Sequence, residues 1–93
     1  MTRTFEITFD GNATLVLEDA VIDAVDDSWR ASFYDLVTPE QIAEQIAFNL
    51  LRGWKLHQLD GWADQPDSNA RLIENPNDVF DDLSVSAIER NVP

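Results

Sequence analysis

Cysteine is absent from this 93-residue sequence, which therefore has no disulfide, no thiolate nucleophile and no cysteine-based metal site. This composition fits a reducing compartment, so we expect a cytoplasmic protein. Long apolar runs are also missing, both for the core of a signal peptide and for a spanning helix of about 18 residues or more. The sequence predicts one small domain outside the membrane.

Basic residues are scarce. Six lysines and arginines stand against 18 aspartates and glutamates, which gives a net charge of -12. Proteins that bind nucleic acids or anionic membranes do so with basic patches, so we expect direct binding to neither. The predicted partner is instead a basic protein.

Catalytic and cofactor motifs are lacking as well. The three glycines are isolated and cannot form a phosphate-binding loop, and no serine stands in a G-x-S-x-G elbow. His57 is the only histidine, so no second imidazole or thiolate can complete a zinc site with it. Close carboxylate pairs are expected by chance among 18 acids. We predict a protein that is not an enzyme and has no cofactor.

Residues 4 to 18 alternate between apolar and polar side chains, which predicts a β-hairpin. A three-residue loop at Asp10–Asn12 pairs Ile7 with Leu15 and keeps the apolar faces of both strands together. Asn12 would then adopt the left-handed conformation, which asparagine tolerates.

The segment from residue 19 to residue 36 supports two interpretations. The stretch "DAVIDAV" can extend the second strand, whereas Trp29 and later apolar residues recur at helical spacing after Asp26–Ser28, a run typical of helix caps. We favour a strand to about Val25 and then a short helix.

The main helix is predicted over residues 39 to about 52. Thr38 and Gln41 form a capping box, Pro39 occupies the first helical position, and Gly53 suits the left-handed residue after the helix. Its apolar stripe consists of Ile42, Ala43, Ile46, Ala47 and Leu50. "ARLIE" and "LSVSAIE" then read as short strands. The predicted fold is α+β, an antiparallel sheet built on the N-terminal hairpin and packed against this one main helix.

The stretch "LDGWADQPD" contains three aspartates, Asp60, Asp64 and Asp67, that could converge on a hard cation. Their spacing lacks the alternate ligands and the distant glutamate of an EF-hand loop. A divalent-metal-binding protein is therefore one hypothesis, and the favoured alternative is a solvated acidic turn with Trp62 folded onto the core.

Three tryptophans, Trp29, Trp54 and Trp62, are many for so small a core, and we expect one of them to be part-exposed. Trp54 follows the main helix directly, and Phe48 lies off its apolar stripe. These two rings can be interpreted as a hydrophobic cap on the helix or as a contact patch, since aromatic residues often anchor interfaces.

The run "DDSWRASFYDLVTPEQIAEQIAFNL" followed by "LDGWADQPD" resembles small uncharacterised acidic proteins of actinobacteria and their bacteriophages. The shared pattern is a W-R-x-x-F-Y segment, a T-x-E-x-I-A helix and an L-D-G-W-A-D turn, and it covers residues 26 to 67. The resemblance implies a phage or bacterial accessory protein and assigns no activity to any residue.

The acids flank the main helix. Residues 1 to 37 contain eight acids and two bases, a net charge of -6. Residues 38 to 60 contain three acids and two bases, a net charge of -1, and residues 61 to 93 contain seven acids and two bases, a net charge of -5. An acidic face of this kind could occupy the nucleic-acid groove of a basic protein. We expect an accessory protein that binds another protein, with nucleic-acid mimicry by a phage inhibitor as its most specific form.

Two alternatives remain open, namely a small structural or regulatory domain whose charge serves solvation, and adaptation to a high-salt cytosol. Formation of a homodimer is open as well. The residues predicted to contact a partner are Asp23, Asp26, Asp27, Trp54, Asp60, Trp62, Asp64, Asp67, Asp78, Asp81 and Asp82.

Overall fold

The computed structural model describes residues 1–9, 12–74 and 85–90. In chain order, its elements are β1 (Thr2–Thr8), β2 (Asn12–Glu18), α1 (Asp19–Asp23), α2 (Asp27–Ser32), α3 (Pro39–Leu51), 3₁₀ turns at Leu56–Gln58 and Asp67–Asn69, β3 (Ala70–Glu74) and β4 (Ser86–Arg90). The four strands form one antiparallel sheet in the order β3-β2-β1-β4. The predicted α+β fold on an N-terminal hairpin is confirmed.

The hairpin has the predicted strands, but its register differs from the prediction by two residues. Ile7 pairs with Ala13 rather than with Leu15, and the last pair before the turn is Thr8 with Asn12. A shift of two residues leaves every side chain on the same face, so apolar alternation cannot distinguish the two registers. The left-handed Asn12 was wrong too, because this residue lies in β2 and, among the described residues, only glycines have a positive φ.

One face of the sheet, here called the inner face, carries the apolar side chains of the strands. Helix α3 packs on it through Ile42, Ala43, Ile46 and Ala47, all of them buried. The capping box of Thr38 and Gln41 is formed. This helix begins at the predicted residue and ends within one residue of the predicted boundary, with Gly53 at a φ of +92° beyond it.

The predicted extension of the second strand through residue 25 was wrong, because the chain turns into helix α1 at Asp19. Val21, Ile22 and Val25 are all buried. Consecutive residues of a strand point to opposite faces, so a strand on this one-sided sheet would expose either Val21 or Ile22. A helix can turn the adjacent residues Val21 and Ile22 to one side, and Val25 is buried just beyond its end. The predicted short helix after residue 25 is present as α2.

The opposite, outer face of the sheet is not covered by any described part of the chain. Its residues are exposed or half-buried and include Thr4, Glu6, Thr14, Val16, Arg71, Ile73, Ile88 and Arg90. Helices α1 to α3 contribute instead to the single core on the inner face. Across the residues that the structure describes, no helix is long and apolar enough to cross a membrane.

Candidate functional site

Two tryptophans hold the turn formed by residues 59 to 65 against the first two helices. The indole Nε1 of Trp29 donates to the carbonyl oxygen of Gly61 at 3.0 Å, and that of Trp62 donates to Val21 O at 3.1 Å. Their rings lie 4.8 Å apart between centroids. The turn is therefore part of the core packing, although its aspartates face solvent.

Helix α2 positions the segment that follows it. Asp26 caps the helix by accepting a hydrogen bond from the Trp29 amide at 2.9 Å, and Arg30 donates from Nε to Leu36 O at 2.7 Å. Arg30 thus draws residues 33 to 36 back toward the helix. Tyr34 is left with its ring 6.2 Å from that of Trp29 and its hydroxyl 3.4 Å from Asp60 Oδ2.

The end of α3 and the turn border an open cavity of about 290 Å³, which we call the Tyr34–Trp54 cavity. Its lining combines three aromatic rings, three amides, one carboxylate, one guanidinium and one leucine, contributed by Tyr34, Trp54, Trp62, Gln45, Asn49, Gln58, Asp60, Arg52 and Leu59. Trp54 is 50% exposed and Tyr34 39%. The prediction of one part-exposed tryptophan is confirmed, and Trp54 is that residue.

Asp60 and Arg52, the charged residues named in the lining of this cavity, have different partners. Asp60 has Tyr34 as its hydrogen-bond partner, and no described arginine or lysine lies within the 4.0 Å ion-pair distance of its carboxylate. The guanidinium carbon of Arg52 lies 5.3 Å from the centre of the Phe48 ring, a distance typical of a cation–π contact. Arg52 therefore contacts Phe48, and among the described residues the Asp60 carboxylate has no cationic partner.

A second cavity, of about 360 Å³, adjoins the first one. Phe33, His57, Asp60 and Asp64 are among its lining residues. Because Asp60 lines both cavities, it lies on the rim between them. The structure therefore brings together Trp54, Asp60 and Asp64 from the predicted contact residues.

Asp67 is engaged elsewhere. Its Oδ1 lies 2.7 Å from His57 Nδ1 and accepts a hydrogen bond from the His57 backbone amide at 3.1 Å. The hydrogen bonds from the His57 side chain and backbone lower the pKa of the Asp67 carboxyl. Within the described residues, no three histidine or acidic side chains form a group able to hold a metal ion, so Asp60, Asp64 and Asp67 do not converge as the metal hypothesis requires.

The remaining predicted contact residues fall into three groups. Asp23, Asp26 and Asp27 are exposed on α1 and α2, next to the turn that Trp29 and Gln65 tie to these helices. Trp62 lines the Tyr34–Trp54 cavity as well, but it is fully buried, because its indole packs in the core. The third group, Asp78, Asp81 and Asp82, lies outside the described residues.

Charge is distributed unequally between the two sides of the molecule. Residues 19 to 69, which connect β2 to β3 and supply the helices, carry ten acids and three bases, a net of -7. On the outer face, Glu6 pairs with Arg90 at 2.5 Å, and the exposed Arg71 lies on β3. The acidic surface of the described chain is therefore on the helical side, where the two cavities lie.

Sequence reasoning did not single out Tyr34, Asn49 or Arg52 as site residues. Tyr34 lies in the segment from residue 19 to residue 36, whose structure the sequence left ambiguous. It reaches Asp60 because Arg30 holds the chain after α2 against this helix. Periodicity offers one signal for the other two, because residues 45, 49 and 52 recur at i, i+4 and i+7 and therefore share one side of α3. Asn49 Nδ2 does donate to the carbonyl oxygen of Gln45 at 2.8 Å on this side.

Comparison of the chain with protein-family models, with curated proteins and with solved structures found no match.

Proposed function

We propose that this chain is a small acidic accessory protein that binds a basic partner protein through its helical side. The observation that carries this proposal is the Tyr34–Trp54 cavity, where two exposed aromatic rings flank the unpaired carboxylate of Asp60. Aromatic residues are common anchors of interfaces, and a carboxylate beside them favours a partner of opposite charge.

Three further carboxylates support a contact surface larger than the cavity. Asp23, Asp26 and Asp27 are exposed on α1 and α2, which the indoles of Trp62 and Trp29 join directly to the cavity-forming turn. Complementary charge of this kind mainly accelerates association and selects the partner. Most of the binding energy is then expected from the aromatic residues near the centre, Tyr34 and Trp54.

Nucleic-acid mimicry is the most specific form of this proposal. Over the 38 Å longest extent of the molecule, duplex DNA carries about 22 phosphate charges at one charge per 1.7 Å. The chain carries a net of -12, which has the same sign and about half that density. A phage inhibitor of this kind would occupy the DNA-binding groove of a cytoplasmic target.

Capture from a bacterial lysate on immobilised protein tests the proposal. At about 50 mM salt we expect recovery of a specific basic protein, and at about 200 mM salt we expect much weaker recovery, because salt screens exposed charges within about 10 Å. Excess duplex DNA distinguishes the forms of the proposal, since DNA displaces the partner only where the two compete for one groove. Recovery of no specific protein at 50 mM salt would overturn the proposal.

A pair of double variants tests which side binds. Asp60→Asn with Asp64→Asn removes two charges beside the cavities, and Glu6→Gln with Glu18→Gln removes two charges from the outer face. The first should weaken capture and the second should leave it unchanged. Equal loss in both would show that capture depends on total charge and not on the helical side.

Circular dichroism in dilute buffer addresses salt adaptation. A domain adapted to high salt should be partly unfolded by self-repulsion at low ionic strength and should refold in molar salt. A domain whose acids bind a partner should keep its fold in both conditions.

A further inference from the structure

Two aromatic rings at the Tyr34–Trp54 cavity differ from the rest of the aromatic cluster. Trp29 and Trp62 direct their indole N–H groups to backbone carbonyls and are buried. Trp54 and Tyr34 are exposed, and the hydroxyl contact to Asp60 holds the Tyr34 ring beside a carboxylate. Two exposed aromatic rings and a negative charge therefore border the same cavity.

This combination favours a cation over other ligands. The faces of tryptophan and tyrosine attract positive charge, and the carboxylate of Asp60 adds a direct ionic contact. An anion would be repelled by Asp60 and by a chain of net charge -12, whereas a neutral apolar group would desolvate the carboxylate without compensation. Arg52, the only base among the described residues that line this cavity, lies over Phe48.

We propose that the Tyr34–Trp54 cavity binds the guanidinium group of an arginine side chain. A guanidinium is planar, stacks on aromatic rings and donates two parallel hydrogen bonds to a carboxylate, whereas the lysine ammonium is compact and strongly hydrated. The cavity provides both a ring to stack on, Trp54, and a carboxylate to accept, Asp60. This inference rests on the proposed function, because the basic partner supplies the arginine.

A titration with a small molecule tests the inference without the partner. N-acetyl-arginine amide is added to ¹⁵N-labelled protein, with the neutral isostere N-acetyl-citrulline amide and with N-acetyl-lysine amide in separate arms. The three indole N–H signals report on three environments, because Trp54 is exposed in the cavity wall, Trp62 is buried behind that wall and Trp29 does not line the cavity. We expect saturable shifts of the Trp54 signal with arginine, weaker binding of lysine and none of citrulline, while the Trp29 signal stays unchanged.

Two variants with the same change of charge test the role of Asp60. Asp60→Asn should weaken binding of the arginine amide about two- to fivefold, the effect of losing one exposed ion pair. Asp35→Asn should leave it unchanged, because Asp35 is exposed and does not line this cavity. An unchanged circular dichroism spectrum verifies the fold of each variant.

The outcomes separate this inference from the proposed function. A Trp54 signal that does not move, citrulline that binds as well as arginine, or lysine that binds more tightly would overturn the arginine site, even where lysate capture succeeds. Arginine binding that depends on Asp60 would support the site, even where capture recovers no partner and the proposed function fails.

Discussion

The indole nitrogen of Trp29 donates a hydrogen bond to the carbonyl oxygen of Gly61, and this contact joins helix α2 to the turn that carries Asp60. The approach is close enough that a β-carbon on Gly61 would lie 2.4 Å from Trp29 Nε1. Gly61 also has a φ of +93°, where other residues are strained. The cavity therefore depends on a glycine at this position for two separate reasons.

Gly61→Ala should destabilise the protein by about 2 to 5 kcal/mol in urea unfolding. About 1 to 2 kcal/mol comes from the left-handed backbone, and about 1 to 3 kcal/mol comes from the overlap with the Trp29 ring. The matched control is Gly53→Ala, at a φ of +92° with no described heavy atom within 4 Å of the added carbon. Gly53→Ala should lose only the part of the stability that comes from the left-handed backbone. Equal losses in the two variants would contradict the packing of Trp29 on the turn.

Ile46→Ala should cost about 2 to 5 kcal/mol, because Ile46 is fully buried between α3 and the sheet and its removal leaves a cavity. Ile88 on the outer face is 66% exposed, so Ile88→Ala should stay within about 0.5 kcal/mol. Both values are measurable by urea unfolding. A loss under about 0.5 kcal/mol for Ile46→Ala would show that this stripe of α3 is not in the core.

Asp26 is expected to stabilise helix α2 in addition to contributing to the acidic surface. Asp26→Ala removes the N-cap of α2 and should cost about 1 kcal/mol, whereas Asp26→Asn keeps a capping oxygen and should cost much less. Thermal unfolding of both variants measures the difference. Comparable losses would mean that the charge, and not the hydrogen bond to the Trp29 amide, stabilises the helix.

The ion pair between Arg3 on β1 and Glu89 on β4 should make stability depend on pH. Arg3 Nη2 donates to Glu89 Oε1 at 2.6 Å and Nε donates to Oε2, and these hydrogen bonds lower the pKa of Glu89 below its usual 4.5. A carboxyl whose pKa is lowered on folding stabilises the native state above the unfolded pKa and loses this effect as pH falls through the folded pKa. Glu89→Gln should therefore cost about 1 kcal/mol at pH 7 and progressively less below pH 4.5.

Urea unfolding at several pH values measures this effect. In an Arg3→Gln background, the same Glu89→Gln substitution should lose most of its pH dependence, because the hydrogen bond from Arg3 is the largest cause of the lowered pKa. A pH dependence that persists without Arg3 would contradict this account of the ion pair.

Elements whose signals are local were predictable from the sequence. The limits of α3 follow from its capping box and from Gly53, and its buried stripe follows from helical periodicity. Strand β3 coincides with the predicted "ARLIE". Residues 19 to 25 were predicted incorrectly as a strand, because their pattern is compatible with a strand until the adjacent residues Val21 and Ile22 both have to be buried.

The site was only partly predictable. Trp54 and Asp60 were named from composition, but their approach to Tyr34 depends on the fold-back that Arg30 and Trp29 impose. Burial of Trp62 depends equally on distant contacts, because its indole reaches Val21, 41 residues earlier in the chain. A pattern that extends over only a few neighbouring residues does not predict such a contact.

The sequence alone thus determined the fold class, the main helix, the sign of the charge and the aspartates of the turn, since these follow from composition and from periodicities of a few residues. Only the tertiary structure decided the register of the hairpin, the helix at Asp19, which tryptophan is exposed and which acids share a cavity. These features depend on contacts between residues that are distant in the chain. Such contacts form only when the core packs, because close packing determines which side chains are buried and which stay at the surface.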